Sequence, residues 1–336
     1  MTTRVGVIGT GNIGTFHVNT LATRVSGAEV TAVFDVDTQR AKSLADDVGA
    51  RSCDSAEAVI ARDDVDALLL ASPGALHPQQ VLACLEADKP VLCEKPLGVT
   101  TEECLFVLEA EVALGRQLIQ LGFMRRYDPG YLQVKAALDG GHIGDPLMLH
   151  CVHRNPTVPP SFNADMAITD SVVHEIDTSR WLLGEEITAI TVLGGRTSRH
   201  ASAQDPQLVL FETESGVIVD LESFVNCQYG YDVRCELVGS DGVVNLDNPT
   251  VSAVTAQGNR STTVPADWQT RFGPAYVVEL QAWIDGVGGG RYTGASAWDG
   301  YATTAVATAG LRARATGDRV EITLVDKPSL YDGARA

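Results

Sequence analysis

Within its first 35 residues the chain passes from an apolar run, Arg4-Val-Gly-Val-Ile-Gly9, into Gly9-Thr-Gly11-Asn-Ile-Gly14 and a helical stretch to about Arg24. A second strand pattern, Glu29 to Phe34, follows and ends on an acid, Asp35. A G-x-G-x-x-G alone constrains little. With a strand before it, a helix after it and an acid at the end of the next strand, it dictates a βαβ dinucleotide fold. Gly9 permits the tight turn, Gly11 lets backbone approach a pyrophosphate, and Gly14 lets helix pack close to strand. The phosphates would lie at the helix N-terminus, where open N–H groups and the dipole favour negative charge.

Asp35 stands 21 residues after Gly14, the spacing of an acid that binds the adenosine ribose hydroxyls. A carboxylate there repels a 2′-phosphate, and the nearest basic residue is Arg40. The pattern favours NAD over NADP; a tight turn followed by a surface aspartate is the bland alternative. Strand-like runs at 67–71, 90–93 and 117–121 alternate with helical segments near 37–48, 55–62, 77–87 and 100–114. That rhythm predicts an α/β fold with a doubly wound parallel (Rossmann) sheet over residues 1–122.

The 336 residues are enough for two domains. From residue 123 onward the pattern changes to consecutive strands with short turns. They run over 147–153, 187–193, 207–212, 217–224, 231–238, 243–246, 251–255 and 320–325, with turns such as Asp247-Asn-Pro249. Helical segments cover 131–140, 274–287 and 297–316. Residues 123–336 are therefore expected to form an α+β domain on a large, mostly antiparallel open sheet.

A net charge of −18 argues against nucleic acid or an anionic membrane as partner. The seven cysteines are odd in number, lack a C-x-x-C pair and sit mostly among apolar neighbours, which fits reduced thiols in the cytoplasm. No apolar run reaches transmembrane length, and no secretory leader pattern opens the chain.

Two segments carry candidate chemistry. Asp170, His174 and Asp177 are spaced i, i+4, i+7, on one face of a predicted helix from Ile168 to Leu183 that stops at Gly184. Val172, Val173, Ile176 and Leu183 lie roughly opposite. Lys95 follows the apolar strand Val91-Leu92-Cys93, between Glu94 and Pro96, where its ammonium can donate to a substrate hydroxyl. An exposed lysine paired with Glu94 fits that spacing equally. His77 opens the next helix and packs there. A zinc-protease motif fails because Thr178 stands where a second histidine is needed, no Ser elbow exists, and no metal site is expected. On a dinucleotide fold the economical chemistry is hydride transfer. His174 takes the carbinol proton, Lys95 steadies the alkoxide, and Asp170 orients His174 or Lys95; a core histidine beside a capping aspartate is the alternative.

Together, Gly-Thr-Gly-Asn-Ile-Gly14, Glu94-Lys95-Pro96 and the D-x-x-x-H helix resemble the glucose–fructose oxidoreductase/inositol dehydrogenase family (Gfo/Idh/MocA). The stretches 122–131, 153–157, 170–183, 229–232 and 296–301 resemble its inositol-oxidising branch, and the similarity runs over nearly the whole chain. The resemblance implies NAD-dependent oxidation of a cyclic polyol CH–OH to a ketone, with myo-inositol going to its 2-keto product. Another inositol isomer, an aldopyranose or a non-catalytic NAD-binding sensor are the rival readings. It implies Lys95, Asp170 and His174 as the catalytic trio, and Arg125, Asn155, Asp177 and one of Tyr229 and Tyr231, with Tyr231 favoured, as binders of polyol hydroxyls. Asn12, Ile13, Ser72, Pro73, His77, Glu94 and Lys95 would line the cofactor beside Gly9, Gly11, Gly14 and Asp35. The open sheet would mediate assembly of a homotetramer.

Overall fold

The glycine-rich turn links β1 (Thr3–Ile8) to α1 (Asn12–Arg24), and β2 (Ala28–Phe34) follows. The alternation continues with α2 (Thr38–Val48), β3 (Arg51–Ser52), α3 (Ala56–Ile60), β4 (Ala67–Leu70), α4 (His77–Glu86), β5 (Val91–Glu94), α5 (Thr101–Leu114) and β6 (Ile119–Gly122). The strands form one parallel sheet in the order β3-β2-β1-β4-β5-β6, with the order reversing between β1 and β4. Such a reversal is where doubly wound sheets open a ligand crevice. Every residue of β4 is fully buried, as expected of a strand covered on both faces. Helix starts follow local chemistry: the Asp37 side chain accepts from Arg40 N, and Thr100 and Glu103 close a capping box on α5. The two-residue edge strand β3 carries no apolar pattern, and nothing in the sequence marks it.

The computed structural model describes residues 2–246 and 253–332. They divide into two compact units. The first comprises the chain to Met124, Tyr276–Thr304 and the segment from Val325 onward; the second comprises Arg125–Ala275 and Ala305–Leu324. A single crossing after residue 122 is expected from the sequence, whereas the chain returns to the first unit twice. The reason is packing: Leu280, Trp283 and Ile284 belong to the same apolar core as Val5, Val7, Val18, Leu21, Leu69 and Leu92.

In the second unit α6 (Pro129–Asp139) and β7 (Pro146–Arg154) precede a short α7 (Ala164–Met166), a π-helical turn (Ala167–Val172) and α8 (Val173–Leu183). Then come β8 (Ile187–Gly194), β9 (Gln207–Thr213), β10 (Ile218–Phe224), β11 (Asp232–Gly239), β12 (Val243–Leu246) and the hairpin β13 (Ala253–Ala256)–β14 (Asn259–Thr262). Two long helices, α9 (Trp268–Gly289) and α10 (Ala297–Thr316), and the strand β15 (Val320–Glu321) complete the order. The seven-stranded sheet runs β12-β11-β7-β10-β9-β8-β15, and every neighbouring pair is antiparallel except β7 with β10.

One face of this sheet buries Leu149, Cys151 and His153 of β7 and Val219, Leu221 and Ser223 of β10. The other is more open. It carries the cross-strand pairs His150–Asp220 and Arg154–Glu222, together with exposed Met148, Leu193, Leu208, Ile218 and Val243.

The expected last strand, 320–325, shortens to two residues. Asp247–Pro249 and the start of the expected strand at 251 lie outside the described residues. What is described there pairs as a separate hairpin whose second strand, all four residues exposed, has no apolar signature. Among the described residues no helix is long and apolar enough to cross a membrane, and no His/Cys/Asp/Glu cluster is arranged to hold a metal.

Candidate active site

In the first unit the glycines meet steric demands that other residues cannot. Gly9 has φ +95°, and a Cβ there would fall 2.5 Å from the Ala71 backbone. A Cβ on Gly14 would fall 2.0 Å from the Gly9 carbonyl oxygen. At Gly11 the opposite holds, since an added Cβ would meet no atom within 4 Å. Gly11 also caps α1 with no side-chain hydrogen bond, so the first N–H groups of the helix adjoin open space. A pyrophosphate fits that cradle.

Asp35 closes β2 and is 6% exposed. Its Oδ2 accepts from Thr10 N at 2.6 Å and from the Thr10 hydroxyl at 3.1 Å, and its Oδ1 accepts from Asp37 N and Arg40 Nη2, both at 2.8 Å. Burial works to raise this carboxyl, but those donors outweigh it and hold Asp35 below the ordinary carboxylate range. Sequence reasoning placed no cation beside Asp35. The fold brings Arg40, in the first turn of α2, onto it.

Beyond β4, the Ser72 hydroxyl donates to Gln80 Oε1 at 2.6 Å, and Pro73 leads into a single 3₁₀ turn, Gly74–Leu76. Both ring nitrogens of His77 face main-chain carbonyls: Nδ1 is 2.7 Å from Pro96 O and Nε2 is 2.8 Å from Ser72 O. His77 thus packs at the start of α4, and its ring is committed to backbone instead of standing ready to touch a cofactor. Burial draws this imidazole below its ordinary range, against the pull of the two carbonyls. Beyond β5, the buried Glu94 accepts from His17 Nε2 at 2.7 Å and from Lys95 N at 3.3 Å. Lys95 itself is half-buried.

In the second unit α8 is not the amphipathic helix its spacing predicts. Residues 173–180 are all buried, and the turn before them is π-helical, so Asp170, on that wide turn and exposed, does not keep an α-helical phase with His174. The polar side chains of α8 are paired inside the unit. Asp177, fully buried, accepts from Arg126 Nε at 3.0 Å and Nη2 at 2.5 Å. Arg125 Nη1 donates to Glu175, Nη2 lies 3.2 Å from His153 Nδ1, and the guanidinium stands 5.6 Å from the Phe272 ring centroid. Arg125 and Asp177, expected to contact polyol hydroxyls, are therefore each one half of a buried ion pair.

His153 Nδ1 is 3.0 Å from Glu175 Oε2, and its ring centroid lies 6.2 Å from that of His174 and 5.9 Å from that of Tyr231. Burial alone would raise the Glu175 carboxyl, but Arg125 and His153 hold it below the usual range. Of the two tyrosines left open by the sequence, Tyr229 is half exposed with its hydroxyl held by Arg154 and Asp232. Tyr231 is 4% exposed, and burial pushes its hydroxyl up to about 12. Asn155 Oδ1 is a buried acceptor with no partner, the kind of atom that asks for a ligand hydroxyl.

The unit thus gathers His174, His153, Glu175, Arg125 and Tyr231 into one cluster, and Asn155 directly follows β7, the strand that ends one residue after His153. His153 and Glu175 were not singled out from the sequence. For His153 a signal existed, since the period-2 alternation of Leu149, Cys151 and His153 turns it to the covered face.

A family model described as an oxidoreductase family with NAD-binding Rossmann fold matches residues 3–123. A second, for that family's C-terminal α/β domain, matches 135–322. The chain is 51% identical over 335 residues to inositol 2-dehydrogenase 3 of Saccharopolyspora erythraea, covering 99% of each. It is 48% identical to an inositol 2-dehydrogenase of Burkholderia ambifaria, covering 99% of this chain and 100% of that one. Among solved structures it superposes with a TM-score of 0.96 on a myo-inositol dehydrogenase from Lactobacillus casei in complex with NAD(H) and myo-inositol, at 36% identity, covering 98% of this chain and 100% of that one. The glycine cradle, the buried Asp35 and these matches over both units converge on one assignment: the chain belongs to the Gfo/Idh/MocA oxidoreductase family.

Proposed function

We propose that this protein is an NAD-dependent inositol dehydrogenase that oxidises the 2-position of myo-inositol to the ketone. One observation carries the reading: 51% identity to an inositol 2-dehydrogenase across 99% of both chains. The backbone around Gly11 would hold the NAD pyrophosphate and Asp35 its adenosine ribose. When bound, NAD supplies the electron-pair acceptor that no side chain provides. Every other task falls to this chain. His174 takes the proton of the reacting carbinol, Lys95 donates to the oxygen as negative charge develops, and Asp170 steadies these groups. Asn155 and Tyr231 are assigned to ring hydroxyls, with Arg125 and Asp177 acting from their ion pairs with Glu175 and Arg126.

A polyol of this kind presents a hydroxyl on every carbon. A site built on paired polar groups rejects analogues that leave one of those groups unmatched. Purified protein should therefore reduce NAD with myo-inositol faster than with scyllo-inositol or glucose. Preference for another isomer or for glucose moves the assignment within the family, and no turnover of any polyol makes the protein an NAD-binding sensor.

Cofactor choice gives a second expected result. Asp35→Ala removes hydrogen bonds to a charged acceptor and should weaken NAD binding by about 10–100-fold, from roughly 1.5–3 kcal/mol per such contact. It also releases Arg40 from its 2.8 Å contact, so discrimination against NADP should relax. Titration with both cofactors checks this, and unchanged discrimination removes Asp35 from the ribose site.

We place the enzyme in the cytoplasm on the strength of its unpaired, largely buried cysteines, and assign it, on the reading above, to the oxidative breakdown of inositol. We also assign it a homotetramer built on the open sheet face, where Met148, Leu193, Leu208, Ile218 and Val243 are exposed. Apolar side chains grouped on one sheet face are what an assembly surface requires.

A further inference from the structure

We infer that His77 is a positioning residue, a strap that fixes the Ser72 loop and the Lys95 loop at one ring's width from each other; the inference rests on the dehydrogenase reading above. The two loops leave the carboxyl ends of β4 and β5, which pair directly in the sheet, and ligands of doubly wound sheets bind at those ends. His77 is 1% exposed. Its Nδ1 lies 2.7 Å from the carbonyl of Pro96, next to Lys95, and its Nε2 lies 2.8 Å from the carbonyl of Ser72. Each ring nitrogen is taken up by a carbonyl oxygen, and neither remains to meet substrate or cofactor. The residue acts through the loops it joins.

The loops need such a tie. Ser72 to Leu76 has one 3₁₀ turn and no strand pairing, and Pro96 has no N–H with which to anchor its own segment. On the other side of Lys95, Glu94 is held by His17 of α1 at 2.7 Å. Lys95 therefore stands between two residues that are each fixed by a buried histidine. Displacement of a reacting group by about 1 Å costs on the order of 10²-fold in rate, so a strap of this kind is worth preserving.

Asparagine places its amide nitrogen near the position of Nδ1 and glutamine near that of Nε2, which separates the two contacts. His77→Asn keeps the tie to Pro96 and loses the one to Ser72, so NADH affinity should fall by about tenfold and kcat by less. His77→Gln keeps the tie to Ser72, so kcat with myo-inositol should fall by at least about tenfold and NADH affinity by less. NADH binding by fluorescence titration, kcat and Tm are measured on the full-length chain. This crossed pattern supports the strap. Losses of kcat and NADH affinity that run in parallel for both variants, tracking Tm, overturn it, as does no loss in either. If the unmodified protein turns over no polyol, the dehydrogenase reading fails, and NADH binding alone decides the strap. A weaker His77→Asn than His77→Gln upholds it, and equal affinities overturn it.

Discussion

His174→Ala should lower kcat for inositol oxidation by about 10²–10⁴-fold while NADH binds within about threefold of the unmodified chain, the range a positioned general base contributes. The ring belongs to the second unit, where it lies 6.2 Å from His153 and on the same helix as Glu175 and Asp177. The dinucleotide cradle, Gly9 to Gly14 with Asp35, belongs to the first unit, so removal of the imidazole leaves every cofactor contact proposed above in place. The pH profile separates the roles further. A base that must be neutral to accept a proton gives kcat/KM a limb that rises with pH, and that limb should vanish in the alanine variant. Collapse of NADH binding, or a fall in Tm of the size expected for an emptied core, would make His174 a packing residue.

The second large effect concerns stability. Glu175→Ala strands the Arg125 guanidinium, 1% exposed, among Tyr131, Phe272 and His153 without its counter-charge. Breaking a buried pair from one side costs about 3–5 kcal/mol, because the remaining charge keeps its desolvation penalty. For a unit of this size that lowers Tm by about 6–20 °C. Calorimetry of the variant tests it, and a shift below about 2 °C would mean that water reaches Arg125. Arg125→Met combined with Glu175→Leu should recover part of the loss, since well-packed apolar residues replace such pairs at little cost.

The sign of the pH dependence follows from the depressed carboxyl. Glu175 titrates lower in the fold than in the unfolded chain, where glutamate titrates near 4.3. Its contribution is therefore complete above about pH 4.3 and is lost as acid protonates it in the folded state. The unmodified protein should lose stability on that acid limb, and Glu175→Gln should show a flatter one.

The two halves differ in how far the sequence reveals them, for a physical reason. The dinucleotide half is legible because its demands are local. Gly9, Gly11 and Gly14 each solve a steric problem within a few residues of backbone, and β1, α1 and β2 announce themselves by period. The cluster around His174 is built by partners about fifty residues apart, Arg125 with Glu175 and Arg126 with Asp177, and no periodicity links them. The resemblance implies Arg125 and Asp177 as binders of polyol hydroxyls, and their ion-pair partners are invisible to any local pattern. The π-helical turn before Val173 has no local signature either, and it removed Asp170 from the helical stripe. The parallel pairing of β7 with β10 is likewise long-range, set by burial on the covered face of the sheet.

One consequence concerns biosynthesis. The core of the nucleotide-binding half is finished by Leu280, Trp283 and Ile284, and its buried Glu111 accepts from the hydroxyl of Tyr331, five residues from the C-terminus. A ribosome that has delivered only the first 122 residues has therefore made a sheet without its last cover. That half reaches its final packing only when the tail emerges, so a chain truncated anywhere before Tyr331 carries its defect into the half synthesised first.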